Sequence, residues 1–270
     1  MKTEQLPLPC TCLAVSPADS VLDAALRQAL ESQQFVLFYQ PVVDHRRNMT
    51  GAEALVRWMH PQRGLLGPCA FIPHAEQSDL IVEIGDWVLK AACRQLVQWQ
   101  RDPVACTYTV AVNVSARQVR QPGFVAGVVA LLAETGANPF LLKLELTESM
   151  LVGNVDDIIA KMNALKAHGI GIALDDFGTG YSSLCYLDRL PVTHIKIDRS
   201  FVDNMFVTPR AATIVQALIA LAHALDLDVV VEGVETAAQW AALIGFGARR
   251  FQGFLFAEPV RVGELRQWMA

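Results

Sequence analysis

Short apolar runs of strand length recur along this chain, and most lead into a stretch where apolar side chains return every three or four residues. The runs Val36–Val43, Thr50–Val56, Thr107–Val114, Leu141–Leu146, Gly171–Asp175, Thr193–Asp198, Asp228–Glu232 and Arg249–Phe254 predict strands. Between them, Leu80, Ile84, Trp87, Val88 and Ala91 share one helical face, as do Ile158, Ile159, Met162 and Leu165. Ile214, Val215, Leu218, Ala222 and Leu225 make a third. The first two runs are joined by a polar turn over residues 44–48 rather than by a helix, so they form an antiparallel pair. Eight strands with alternating helices in a chain of this length predict an α/β fold, a (β/α)8 TIM-like barrel with an antiparallel first strand. A doubly wound sheet is the alternative, but no G-x-G-x-x-G follows an early strand. Residues 1–19 read as a lead-in and 20–270 as one domain, with no Gly/Ser-rich linker or charge block dividing it.

Composition narrows the function. The 270 residues carry 22 basic and 27 acidic side chains, a net charge of −5, with 53% apolar and 18% charged residues, which suits one sizeable core and argues against disorder. The basic residues are scattered, against what binding of polymeric nucleic acid requires. The most apolar long stretch, Ala211 to Val231, is broken by Gln216, His223, Asp226 and Asp228, so membrane insertion is not expected. No signal-peptide pattern opens the chain. The six cysteines lack zinc-site spacing, and they read as reduced thiols in a cytoplasmic protein.

Chemistry enters at the strand ends. Glu145, Asp175, Asp198 and Glu232 each follow an apolar strand, with Glu148, Asp176 and Glu235 close behind, Asn113 in the same place on another strand, and Glu53 within the second. In a barrel those ends converge on one mouth. Carboxylates gathered there repel unless a cation lies among them, and oxygen ligands without His or Cys indicate hard divalent ions, Mg²⁺ or Mn²⁺ and two of them, rather than zinc. A lone acid after a strand is ordinarily a helix cap or a solvated charge. The repetition is what departs from that rule. Lys196 inside an apolar strand needs anionic partners if it points inward, although a snorkelling lysine would need none. Arg57, four residues after Glu53, has the planar fork that holds a phosphate. The segment Asp176–Ser183, with two glycines, reads as a mobile loop over the mouth or an ordinary βα turn. The six histidines show no i, i+4 pairing and read as structural or surface groups.

Ordered motifs then match a known family. Glu53-Ala54-Leu55-Val56-Arg57-Trp58 with His60-Pro61, Gln40-Pro41, Phe71-Ile72-Pro73, Asn113-Val114-Ser115, Glu145-Leu146-Thr147-Glu148, Asp175-Asp176-Phe177-Gly178, Lys196-Ile197-Asp198, Glu232-Gly233-Val234-Glu235 and Gln252-Gly253-Phe254 resemble the EAL domains, bacterial phosphodiesterases of cyclic di-GMP, over roughly residues 20–268. The resemblance implies the barrel, Mg²⁺ or Mn²⁺ as cofactor, and hydrolysis of cyclic di-GMP to linear pGpG. Carried over by position, Glu53, Asn113, Glu145, Asp175 and Asp176 would hold the metals. Glu232 would be the general base, with Lys196 and Gln252 beside it. Gln40, Arg57 and Asp198 would contact substrate, and Glu148 and Glu235 would anchor the Asp176–Ser183 loop. A homodimer is implied as well. Asp79, Val231, Phe254 and Glu258 depart from the usual pattern, but no ligand position is lost. The alternatives are a catalytically weak cyclic di-GMP receptor acting through a partner, and a barrel acting on another phosphodiester. The span of the resemblance leaves little room for a sensor domain, so the chain reads as a stand-alone domain or a fragment of a longer protein.

Overall fold

The structure, a computed structural model, describes residues 17–151, 154–178 and 186–268. Most of the expected Asp176–Ser183 loop falls outside these residues. An opening helix α1 (Pro17–Glu31), which the pattern reading did not foresee, buries Leu26 and Ala29. Strand β1 (Phe35–Asp44) then turns back on β2 (Met49–His60). The turn is built by the Asp44 carboxylate, which accepts from the backbone N–H of Arg46 at 2.7 Å and of Asn48 at 2.8 Å. The antiparallel pair places Gln40 opposite Glu53 and Phe38 opposite Leu55.

A short β3 (Gly64–Leu66), also unforeseen, folds back on the end of β2. From there strands and helices alternate: α2 (Ile72–Gln77), α3 (Leu80–Trp99), β4 (Thr109–Asn113), α4 (Ala116–Arg120), α5 (Phe124–Thr135), β5 (Leu142–Thr147), α6 (Val155–Ala167) and β6 (Gly171–Phe177). There follow β7 (His194–Ile197), α7 (Arg199–Asn204), α8 (Pro209–Ala224), β8 (Asp228–Val231), α9 (Ala237–Gly245) and β9 (Arg250–Phe251). Strands β2, β4, β5, β6, β7, β8 and β9 run parallel in that order, and β1 closes the ring antiparallel to both β2 and β9. This is the (β/α)8-like barrel with an inverted first strand, and ring closure excludes the doubly wound sheet. Among the described residues, no helix is long and apolar enough to cross a membrane.

The period of two along each strand divides the barrel. Val110, Val112, Leu142, Leu144, Ile172, Leu174, Ile195, Ile197 and Val231 are fully buried, and they lie beneath the helices. The alternate positions face the barrel axis and are small or polar. The pattern reading erred in α8 and at the residue that ends it, where Ile214 and Leu225 are 43% and 40% exposed and the core positions are Val215, Ile219 and Ala222. Spacings of four and three follow the helical turn, whereas Ile214 lies about 100° round the axis from Val215. The last predicted strand shortens to Arg250–Phe251 because Gly253 and the turns after it leave the ladder.

The axis holds a polar tier near the strand starts. Arg250 Nη1 donates to Asp228 Oδ2 at 2.8 Å and to His194 Nε2 at 3.1 Å, while His194 Nδ1 meets Thr193 Oγ1 at 2.8 Å. Burial, then the Lys143 charge, pushes the His194 ring down to about 3, and burial pushes the Lys143 ammonium down to about 8. His194 is therefore the structural group its sequence position suggested.

The outward strand face carries the stability. Leu144→Ala, at a site fully closed to solvent, is expected to cost about 2–5 kcal/mol. Urea unfolding checks this, and a loss below about 1 kcal/mol would show that the helix layer collapses onto the gap.

Candidate active site at the strand carboxyl ends

Each inward chain position at the mouth comes from a different strand. Glu53 lies on β2, Asn113 ends β4, Glu145 is on β5, Asp175 on β6, Lys196 on β7, and Glu232 and Gln252 immediately follow β8 and β9. The parallel ladders set Asn113 opposite Glu145, and Val114 N–H donates to the Glu145 carbonyl at 3.0 Å. Ring closure turns residues far apart in sequence into one cluster.

Lys196 is its centre. Its ammonium lies 2.8 Å from Glu145 Oε2, 2.5 Å from Glu232 Oε1, 3.3 Å from Glu53 Oε2 and 3.4 Å from Asp175 Oδ1. The snorkelling alternative is excluded, since Lys196 is 2% exposed. Amides tie in the rest. Asn113 Nδ2 donates to Glu53 Oε1 at 2.6 Å, and Gln252 Nε2 donates to Glu53 Oε2 at 2.7 Å and to Gln40 Oε1 at 3.0 Å. Gln40 donates in turn to the Ala257 carbonyl at 3.2 Å.

One ammonium does not balance four carboxylates. Burial raises the Glu145 carboxyl well above its ordinary range despite Lys196, with the other three acids adding to the rise. Burial likewise pushes Glu232 up to about 8, against the opposing pull of Lys196. Glu53 goes the other way. Burial raises it, but Lys196 and the Gln252 and Asn113 amides together outweigh that and hold it low. Lys196 itself is raised because its four acids outweigh its desolvation. A cluster that keeps protons for want of positive charge, built of carboxylate and amide oxygens, is chemically fitted to hard divalent cations. Among the described residues, no three acidic side chains close on a common metal-sized point. Lys196 occupies the middle instead.

The remaining predicted residues lie around this centre. Asp176 follows Asp175 where the β6–β7 register slips between Leu174 and Phe177, and its φ of 55° is left-handed, an unusual conformation for a residue other than glycine. The irregularity lets two successive acids serve the mouth. Burial raises the Asp176 carboxyl, and the neighbouring Asp175 and Asp198 charges add to it. Asp198 caps α7 by accepting from Ser200 N–H at 3.0 Å, so part of its role is structural. Glu148 is buried directly after β5. Glu235 is held by Arg199 at 2.9 Å. That contact depends on Gly233, where φ is 66° and a Cβ would sit 2.3 Å from Arg199 Cγ. Arg57 stands apart from the cluster, above it on β2. Two hollows flank the acids. One of about 290 Å³ is lined by Leu55, Ile72, Glu76, Asn113 and Thr147, and one of about 190 Å³ by Gln40, Glu232, Gln252 and Phe254.

Sequence reasoning missed the device that turns the chain just after Asn113. After β4, Ser115 and Gln118 form a reciprocal capping box, and Thr236 and Gln239 repeat it after β8. The S/T-x-x-Q spacing was available as a signal. The Gln118 amide is buried flat against α3, where a Cβ on Gly85 would lie 2.1 Å from its atoms. Gly85, far from the motif in sequence, is thus what admits Gln118.

The EAL domain family model matches residues 23–259. The bifunctional diguanylate cyclase/cyclic di-GMP phosphodiesterase MucR of Pseudomonas aeruginosa is 46% identical over 241 residues, covering 89% of this chain and 35% of that protein. The cyclic di-GMP phosphodiesterase PdeR of Escherichia coli is 40% identical over 247 residues, covering 92% of this chain and 37% of PdeR. The chain thus spans about a third of the length of these curated relatives. The solved PaMucR phosphodiesterase in complex with c-di-GMP superposes with a TM-score of 0.86 at 45% identity, covering 91% of this chain and 99% of that one.

Two outcomes follow from the geometry. Gly85→Ala is expected to destabilise the fold by about 1–3 kcal/mol in the wild-type background and clearly less in a Gln118→Ala background, where the overlap is gone. Urea unfolding of the four proteins measures this, and equal costs would show that the crowding is relieved elsewhere. The second concerns pH. Folded Glu232 titrates near 8 against 4.5 unfolded, so between those values the folded chain keeps a proton the unfolded chain has released, and stability falls as pH rises. His194, ordinarily 6.5, opposes this only below that value, and Lys143 only above about 8. In chelator, stability is therefore expected to drop between pH 6.5 and 8 by about 1.4 kcal/mol per pH unit for one proton. A flat or rising profile in unfolding midpoints would contradict the assignment.

Proposed function

Because this chain belongs to the EAL domain family, we propose that it hydrolyses one phosphodiester bond of cyclic di-GMP, releasing linear pGpG and lowering this bacterial messenger in the cytoplasm. The observation that carries the reading is the single set of Glu53, Glu145, Asp175 and Glu232 gathered on Lys196, together with a relative named as a phosphodiesterase whose solved form holds c-di-GMP.

In this reading Glu53, Asn113, Glu145, Asp175 and Asp176 hold Mg²⁺ or Mn²⁺, two ions in all. Bound there, the ions supply Lewis acidity and offset the negative charge that develops on the phosphodiester oxygens. The protein does the rest. Glu232 takes the proton of the attacking water as the new P–O bond forms and the ribose oxygen leaves. Lys196 pairs with the Glu232 carboxylate at 2.5 Å, and Gln252 fixes Glu53 while lining the approach to Glu232. Gln40, Arg57 and Asp198 contact the dinucleotide, and the two flanking hollows each receive one guanine. Glu148 and Glu235 anchor the loop that follows β6, and a second copy of the chain pairs with the first.

Incubation of the purified chain with cyclic di-GMP and Mn²⁺, followed by chromatography, tests the reading. pGpG is expected with metal and none with chelator. Glu232→Gln should lower turnover by about 10²–10⁴ while cyclic di-GMP affinity stays within a few-fold. Binding without turnover in the wild type would instead make the chain a receptor module. Turnover confined to simpler diesters such as glycerophosphodiesters would reassign its substrate.

A further inference from the structure

Beyond β9 the chain returns to the barrel. Tyr39 N–H donates to the Val260 carbonyl at 2.7 Å and Val260 N–H to the Tyr39 carbonyl at 3.0 Å, an antiparallel bridge along the free edge of β1. Tyr39 points outward, packed on Trp99. By alternation, Phe38 and its cross-strand neighbour Arg261 face the mouth, as Arg57 does from β2, where it shares its face with Glu53. The consequence is a row of three. The Arg57 and Arg261 guanidinium carbons each lie 5.8 Å from the centroid of the Phe38 ring, one from β2 and one from the segment bridged to Tyr39.

Both cations keep most of their donors open. Arg57 gives Nη1 to the Val56 carbonyl at 3.0 Å, and Arg261 gives Nη2 only to the thioether of Met59 at 3.7 Å, a weak acceptor. No ion pair of either with a carboxylate is found among the described residues. Arg199 and Arg250, by contrast, are paired, the first with Asp203 and Glu235 and the second with Asp228. Two unpaired guanidinium forks flanking one ring, above a cluster of acids, form a receptor for two separate anionic groups on one molecule.

We propose that Arg261 is a second phosphate-binding residue, taking one phosphate of a cyclic dinucleotide while Arg57 takes the other, with Phe38 spacing the two forks. This rests on the cyclic di-GMP reading above and deepens it.

Calorimetry separates the two readings because it needs no turnover. In the Glu232→Gln background, Arg261→Gln is expected to weaken cyclic di-GMP binding about tenfold but to change binding of GpG, a linear dinucleotide with a single phosphate, less than twofold. Arg57→Gln should weaken both, and Arg261→Lys should restore part of the lost affinity. The Arg261→Gln variant should also show a shallower dependence of cyclic di-GMP affinity on salt. Equal losses for the two ligands, an unchanged affinity for cyclic di-GMP, or no binding of it by the parent would overturn the proposal. Failure of hydrolysis alone would overturn only the enzymatic reading.

Discussion

The arrangement of this molecule turns on one buried ammonium. Lys196 is enclosed in the barrel axis, where an unpaired charge would be prohibitive, and Glu53, Glu145, Asp175 and Glu232 from four other strands make it tolerable. The dependence is mutual. Without Lys196 the four carboxylates would face each other in a poorly solvated space, and the barrel could close only around protonated acids. With it they are held together but left short of positive charge, and Glu145 and Glu232 stay raised. A cluster in that condition has an open demand for cations. That demand is what the proposed divalent cations would meet.

The rest of the fold supports this centre by dividing labour across each strand. Outward positions are aliphatic and fully buried beneath helices, so stability comes from a layer that the site never touches. Inward positions are free to be polar, and they form two tiers: the carboxylate cluster above and the Arg250–His194–Asp228 group below. One of the local irregularities serves the upper tier. The register slip in β6 and the left-handed backbone of Asp176 bring a second acid to the mouth, and paired capping boxes turn the chain away sharply after β4 and β8.

Much of this was legible in the sequence, and its limits are physical. Strand period and the acids at strand ends are local features, so Glu145, Asp175 and Glu232 could be read as facing one mouth, and the polar turn after Asp44 showed the antiparallel start. Lys196 could be read only as an alternative, since a strand lysine points inward or snorkels according to partners supplied by other strands. The role of Gly85 could not be read at all, because it comes from an amide 33 residues away packing on α3. Arg261 escaped for a similar reason, its place being set by the bridge between Val260 and Tyr39. Helix α1 and strand β3 were missed differently. The first has the right apolar spacing but follows a proline-rich stretch, and the second is too short to show a period.

The central claim is that the acids around Lys196 form a proton-holding cluster that divalent cations complete. The most direct measurement is calorimetric titration of the chelated protein with Mn²⁺ near pH 7 in buffers of different ionisation enthalpy, which counts the ions bound and the protons released together. The account predicts saturable binding of two ions with net release of about one proton or more, as raised carboxyls such as Glu232 ionise. Saturable binding with no proton release, or no binding at this pH, would contradict it.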